Sequence, residues 1–308
     1  MFSARHSQPE TRTGSASAAA AALTIGAYLW PGHERVVAWL AIAVLLLVDL
    51  RGVVRSMRVA AVFAAIVLVV VAITVVAGAA SVPTDVAGIG SGEGVTGLLA
   101  AAGVLFVAFA GYARVTVLGE EVRDPARVIP RAIVASFAIV LVVYGAIGGL
   151  VTVLAGHGVQ FGPAPLHDIA DLTGRAGLPA LVTVAAVLGA GGVLLSLIAG
   201  VGRTLFAMAD AGDAPRVLAV TSVRRVPQRA GVVAAVLAAV VASAGRLSWS
   251  LALSAASILC YYGVAHVAAM TLPRRRSVDL AWPVAGLVGC VVVVAGIARA
   301  AFGGDLVG

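Results

Sequence analysis

Lysine and asparagine are absent from the 308 residues, so all 21 basic side chains are arginines. Charged residues make up only 11% of the chain and aromatic ones 6%. A water-soluble domain keeps roughly a quarter of its residues charged, because its surface must be solvated. Here there are too few charges to cover a water-facing surface, which excludes a soluble enzyme and makes lipid the main solvent. Only two cysteines occur, Cys260 and Cys290, both inside apolar runs. That placement argues for small buried side chains, and against a disulfide framework or a metal site. The polar opening residues, with no cleavage-type sequence after them, do not read as a signal peptide. A phosphate loop needs its lysine, so ATP coupling within this chain is not expected and no cofactor is implied. His266 stands alone, without serine, cysteine or metal-ligand spacing around it.

What is present is apolar: 61% of the residues are hydrophobic and the mean hydropathy is +1.07. A helix needs about 20 apolar residues to cross the hydrocarbon core. Nine segments qualify or come close, near 15–30, 36–50, 59–80, 95–119, 132–155, 179–208, 230–245, 248–271 and 280–301. Only helices satisfy their backbone without water, so the expected fold is an all-α, polytopic membrane helix bundle. The expected division is a polar cytoplasmic tail at 1–14, the bundle at 15–301 and a short tail at 302–308.

Arginine placement predicts the orientation. With a cytoplasmic N-terminus, the inner segments hold sixteen of the 21 arginines, in the clusters Arg51 to Arg58, Arg123 to Arg131, Arg203 to Arg229 and Arg274 to Arg276, with Arg5 and Arg12. The outer segments hold Arg35, Arg175, Arg246 and Arg299, and Arg114 lies within a span. This alternation is how membrane topology is written, and it puts the C-terminus outside. It also accounts for the net charge of +7 without a nucleic-acid partner, since no folded basic face exists.

The stretch carrying chemistry runs from Gly94 to Ile133. Its span holds Gly103 and the run Phe109-Ala110-Gly111-Tyr112. Glycine in a helix interior costs up to about 1 kcal/mol relative to alanine and lets the backbone unwind. In lipid, unwound backbone survives only where it lines a cavity or meets a ligand, as in the broken helices of secondary transporters. Close packing of small residues is the other reading of the same glycines.

Beyond that run come Glu120-Glu121-Val122, then Asp124-Pro125, and then Ile129-Pro130-Arg131-Ala132-Ile133. This sequence resembles the sixth span and following loop of the amino acid–polyamine–organocation (APC) superfamily of permeases. Asp49-Leu50-Arg51-Gly52-Val53 is similar to the family's loop between spans four and five. Arg203 to Gly212, with Pro215 and Pro227, is similar to the loop after span eight. The resemblance covers about residues 15–300 in the family's order and implies a partial inverted-repeat, LeuT-like transporter fold. It numbers the nine spans as family spans three to eleven, leaving the first two without a counterpart. The implied function is secondary transport of amino acids or related small zwitterions by alternating access, across a bacterial plasma membrane. The alternative is a truncated, non-transporting permease remnant or membrane partner subunit. The family's first span supplies half of the substrate site, so the 308 residues alone are not expected to accumulate amino acids.

The resemblance also assigns roles. Phe106, Phe109, Gly111 and Tyr112 would line the substrate cavity. Arg114 and Ser196 would be ion or coupling positions, although Arg114 can equally snorkel to the cytoplasmic side and a membrane serine often bonds its own helix. Glu120, Glu121, Asp124, Pro125, Pro130 and Arg131 would form a cytoplasmic gate or loop motif. Many family members carry an acid where this chain has Ala113, and some carry a lysine near Val67; both are missing, which disfavours cationic substrates and the lysine coupling device. The expected partners are an amino acid substrate and the bilayer, and a homo-oligomer is compatible with both.

Overall fold

The computed structural model describes residues 7–51, 57–82, 94–109, 124–221, 227–244, 247–271 and 278–302. Among them every regular element is helical: α1 (Ser7–Leu29), α2 (Glu34–Leu50), α3 (Met57–Ala80), α4 (Gly94–Phe109), α5 (Pro125–Gly156), α6 (Pro165–Leu172), α7 (Leu178–Asp210), a 3-10 turn (Arg216–Leu218), α8 (Gln228–Ala244), α9 (Leu247–Met270) and α10 (Val278–Phe302). Each of the nine apolar segments overlaps one of these helices, and α6 is an addition. Five stretches are long and apolar enough to cross a membrane: Ala61–Ala80, Ala126–Gly156, Leu178–Asp210, Leu247–Met270 and Leu280–Ala300. Gly14–Leu29 and Gln228–Ala244 are shorter apolar helices. α3 is rich in valine and isoleucine, which favour strands in water. In lipid the backbone must pair within its own segment, and the helix wins.

α1 is the axis of the bundle. Ala16, Ala18, Ala19, Ala20, Leu23 and Ile25 are all nearly inaccessible, and together they take up more than half of the helix circumference. α2, α7, α8 and α9 enclose it. Small side chains let neighbouring backbones approach closely where apolar burial gives no driving force. A Cβ on Gly26 would sit 2.6 Å from Glu34 Cα, so α2 enters against bare α1 backbone. A Cβ on Gly202 would lie 3.1 Å from Gly231 Cα, giving α7 and α8 the same kind of crossing. α1 and α7 run antiparallel: Gly14 meets Val201, and Ala27 shares a cavity with Thr183.

Three contacts recur when α1, α2 and α3 are exchanged for α7, α8 and α9. α1 packs on α2 as α7 does on α8, α1 on α8 as α7 on α2, and α1 on α9 as α7 on α3. An inverted repeat produces this pattern. A second core joins α4, α9 and α10 around Ala252, Ala255, Leu259, Cys290 and Ile297. There α4 and α10 cross through small residues, Gly103 facing Ile297 and Gly296 facing Leu99.

Polar side chains inside the helices are turned back on their own backbone. Thr24 donates to Ala20, Thr74 to Val70, Thr152 to Gly148 and Ser257 to Leu253, the usual economy for hydroxyls in lipid. Ser17 and Ser254 instead bond each other across α1 and α9, at 2.6 Å. The outward faces are apolar, with Val134, Leu141 and Val142 of α5 about two-thirds exposed. Trp30, Trp249 and Trp282 stand exposed near helix ends, where membrane-interface tryptophans sit. The chain is therefore an all-α, multi-pass membrane helix bundle.

Candidate functional site

The expected substrate-cavity residues lie at the C-terminal end of α4. Phe106 is half-buried and meets Tyr262 of α9 edge to face, with ring centroids 5.7 Å apart. Tyr262 continues to Tyr261 at 5.5 Å. One helical turn on from Phe106, Phe109 turns to α5 and meets Phe137 edge to face at 5.4 Å. Rings preferring this T-shaped geometry gain about 0.5–1.5 kcal/mol beyond their area. The last turn of α4 is thus held from both sides, by α9 through Phe106 and by α5 through Phe109. Gly111, Tyr112, Arg114, Glu120 and Glu121 lie outside the described residues.

The gate-motif residues that are described form the entry to α5. Asp124 takes a left-handed backbone, φ 53°, which aspartate tolerates better than most residues. Its carbonyl accepts the amides of Arg127 and Val128, both at 3.0 Å, starting the helix. Pro125 occupies the first turn, where its missing N–H costs nothing. Pro130 and Arg131 are exposed on the same helix. The Asp-Pro of the motif therefore has a local reason: it turns the chain into α5.

Ser196 is half-buried on α7, between Leu194 and Ile198, which face the α1 core. The main neighbours of α7 are α1, α8 and α3, whereas α4 packs on α10 and α9. Ser196 and the phenylalanines therefore belong to different packing groups.

A cavity of about 650 Å³ opens where α1 ends and α7 begins, lined by Tyr28, Pro31, Pro163, His167, Asp168 and Thr183 among others. Its polar groups are mutually engaged. Asp168 Oδ2 accepts the Gly162 amide at 2.7 Å, and His167 meets Thr183 and Asp171, while Tyr28 and Leu166 pack against the same core. The sequence reading passed over this cluster and over Tyr262 and Phe137. The available signals were the short amphipathic run Pro165–Leu172, with His167, Asp168 and Asp171 among its apolar residues, and the Tyr261-Tyr262 pair in an aromatic-poor chain.

These features belong to a polytopic membrane helix bundle, and comparison with known proteins gives the family. The amino acid permease family model matches residues 15–296; the chain belongs to that family, within the APC superfamily. It is 40% identical over 288 residues to the uncharacterized transporters Rv1999c of Mycobacterium tuberculosis and Mb2022c of Mycobacterium bovis. Those matches cover 90% of this chain and 64% of each relative, so the chain spans under two-thirds of their length. It is also 28% identical over 124 residues to the branched-chain amino acid permease BcaP of Bacillus subtilis, covering 40% of this chain and 26% of that protein.

Proposed function

We propose that the chain is a secondary carrier that moves amino acids across the plasma membrane by alternating access, with its N-terminus cytoplasmic. The observation that carries this reading is the family match across nearly the whole chain, residues 15–296. Neutral, apolar amino acids fit best. Rings at Phe106, Phe109 and Tyr262 offer an apolar surface, and Ala113 leaves no acid for a cationic side chain. The name of the Bacillus subtilis relative points the same way. Alternating access needs one body to rock against another. The α1–α2–α7–α8 group is knit backbone to backbone, while α5 touches the remainder mainly through α3, α6 and Phe109.

The test is uptake of labelled leucine, isoleucine, valine and alanine into proteoliposomes under imposed proton or sodium gradients. It uses the protein purified from its native membrane at whatever length it is made. Saturable, gradient-driven uptake is expected. No uptake of any amino acid would sink the carrier reading and leave the partner-subunit alternative. The 308 residues expressed alone form a second arm, which reads whether they suffice for uptake.

A further inference from the structure

Helices α2 and α8 pack against each other, antiparallel, on the outside of the α1 core. Their inner faces, Ala38 and Ile42 on α2 and Ala235 and Ala238 on α8, belong to that core. Two contacts fix their register. At one end the Trp39 indole N–H donates to Ser243 Oγ at 3.0 Å. Toward the other, Asp49 Oδ2 lies 3.8 Å from where a Cβ on Gly231 would stand. The same register sets Arg51, the C-cap of α2, level with Arg229 in the first turn of α8.

Each helix carries an outward apolar stripe that ends in its arginine. On α2 the stripe is Leu40, Val44 and Leu47, then Arg51; on α8 it is Val240, Val236 and Val232, then Arg229. All eight side chains are exposed, and steps of three and four residues keep each set on one helix face. From Trp39 to Arg51 the α2 stripe is about 18 Å long, close to the roughly 15 Å of hydrocarbon in one leaflet. Arginine stems lie along apolar surface while their charged heads reach the interface. Neither guanidinium is within ion-pair distance of a carboxylate among the described residues. Asp49, the only acid at this end of either helix, is turned toward Gly231. Arg229 Nη1 donates to the Val217 carbonyl at 3.4 Å, which occupies one of a guanidinium's five N–H donors.

We infer that the α2–α8 face binds an anionic phospholipid, its phosphate held between Arg51 and Arg229 and its acyl chains laid along the two stripes. A guanidinium matches phosphate geometry with paired N–H···O bonds, which a point charge such as lysine does not. The stripes select a lipid over a soluble anion, because only a lipid covers apolar surface and charge together. A zwitterionic lipid brings the same phosphate with its own cation beside it, so the arginines gain less from it. Each arginine near the membrane surface strengthens the attraction to anionic lipid about fivefold, and the pair about twenty-five-fold. The site does not depend on the transport reading. In the orientation proposed above, the lipid belongs to the cytoplasmic leaflet.

The experiment is native mass spectrometry of the purified full chain in detergent, titrated with phosphatidylglycerol and with phosphatidylcholine of the same acyl chains. Phosphatidylglycerol adducts should form at about twenty-five-fold lower lipid concentration. Arg51→Gln and Arg229→Gln should each cut that preference about fivefold, and the double variant should abolish it. Arg35→Gln, at the opposite end of α2, should leave it unchanged. All three arginines are exposed, so the variants keep the fold, and an unchanged thermal midpoint without lipid checks this. Equal affinity for the two lipids would overturn the site. So would a preference that survives in the double variant, which would place the anionic lipid on other arginines, or one lost equally in Arg35→Gln. A dimer in place of the lipid adduct would also overturn it, giving the face to a second copy of the chain.

Discussion

Around α1 the helices meet backbone to backbone; α5 meets its neighbours ring to ring or scarcely at all. Alanines from Ala16 to Ala22 and glycines at 26 and 202 bring α1, α2, α7 and α8 close, and a methyl added at either glycine would press on backbone. In α5, by contrast, Gly145, Gly148 and Gly149 face open space, and neighbouring valines and leucines look outward. Lipid gives no apolar reward for helix association, so the tight half must be held by van der Waals fit and its shape fixed. The loose half can move at little cost. The alternating access proposed above would use one of each.

The largest effect is expected where the fit is tightest. Gly26→Ala would drive a methyl into the Glu34 backbone, which cannot step aside as a side chain could. Overpacking of this kind costs about 1–3 kcal/mol, read as a fall in thermal midpoint in detergent and in the yield of folded protein. Gly202→Ala should follow close behind, since its methyl would meet the Gly231 backbone at 3.1–3.2 Å. Wild-type stability in both variants would mean that the α1–α2 and α7–α8 crossings are looser than the contrast requires.

An intermediate effect is expected at the aromatic join. Phe106→Ala removes the edge-to-face contact with Tyr262 and should cost about 0.5–1.5 kcal/mol beyond lost area. If the rings also line the solute path, the variant should raise the KM for uptake more than it lowers the folded yield. Equal losses in both would make Phe106 a packing residue only.

The two halves also differed in how well the sequence announced them. The α1 core was visible as an apolar run, but Ala18 to Ala22 carry no hint of which helices will surround them, because alanine fits any neighbour. The inverted pairing of α1–α3 with α7–α9 rested on the family motifs, not on hydropathy. Asp124-Pro125 was legible as a motif, and its local reason, a left-handed turn starting α5, appeared only in the backbone. Phe106 and Phe109 were identified by resemblance, whereas their partners Tyr262 and Phe137 lie over a hundred and about thirty residues away in sequence. The α6 cluster was missed because eight residues are too few to register as a span, and because His167 and Thr183 meet across sixteen positions.

A smaller effect belongs to the hydrogen bond between Ser17 and Ser254, which joins the scaffold to α9. Hydroxyl pairs between membrane helices contribute about 0.6 kcal/mol on average, since in the separated state each serine can bond its own helix. A double-mutant cycle of Ser17→Ala and Ser254→Ala in an unfolding titration should give a coupling of about that size. A coupling near zero would leave the α1–α9 contact resting on small-residue packing alone.

The smallest effect sharpens the contrast most, because it repeats the first substitution where the outcome should reverse. Gly148→Ala in α5 places the same methyl where nothing lies within 4 Å. With no clash, helix propensity decides, and alanine is favoured over glycine by up to about 1 kcal/mol in a helix interior. The expected result is a thermal midpoint unchanged or slightly raised, in the same assay that shows Gly26→Ala falling. If Gly148→Ala leaves stability intact yet slows transport, α5 needs its glycine for bending and not for packing. A loss of stability would instead put an unseen neighbour against that face of α5, and the loose half would no longer be loose.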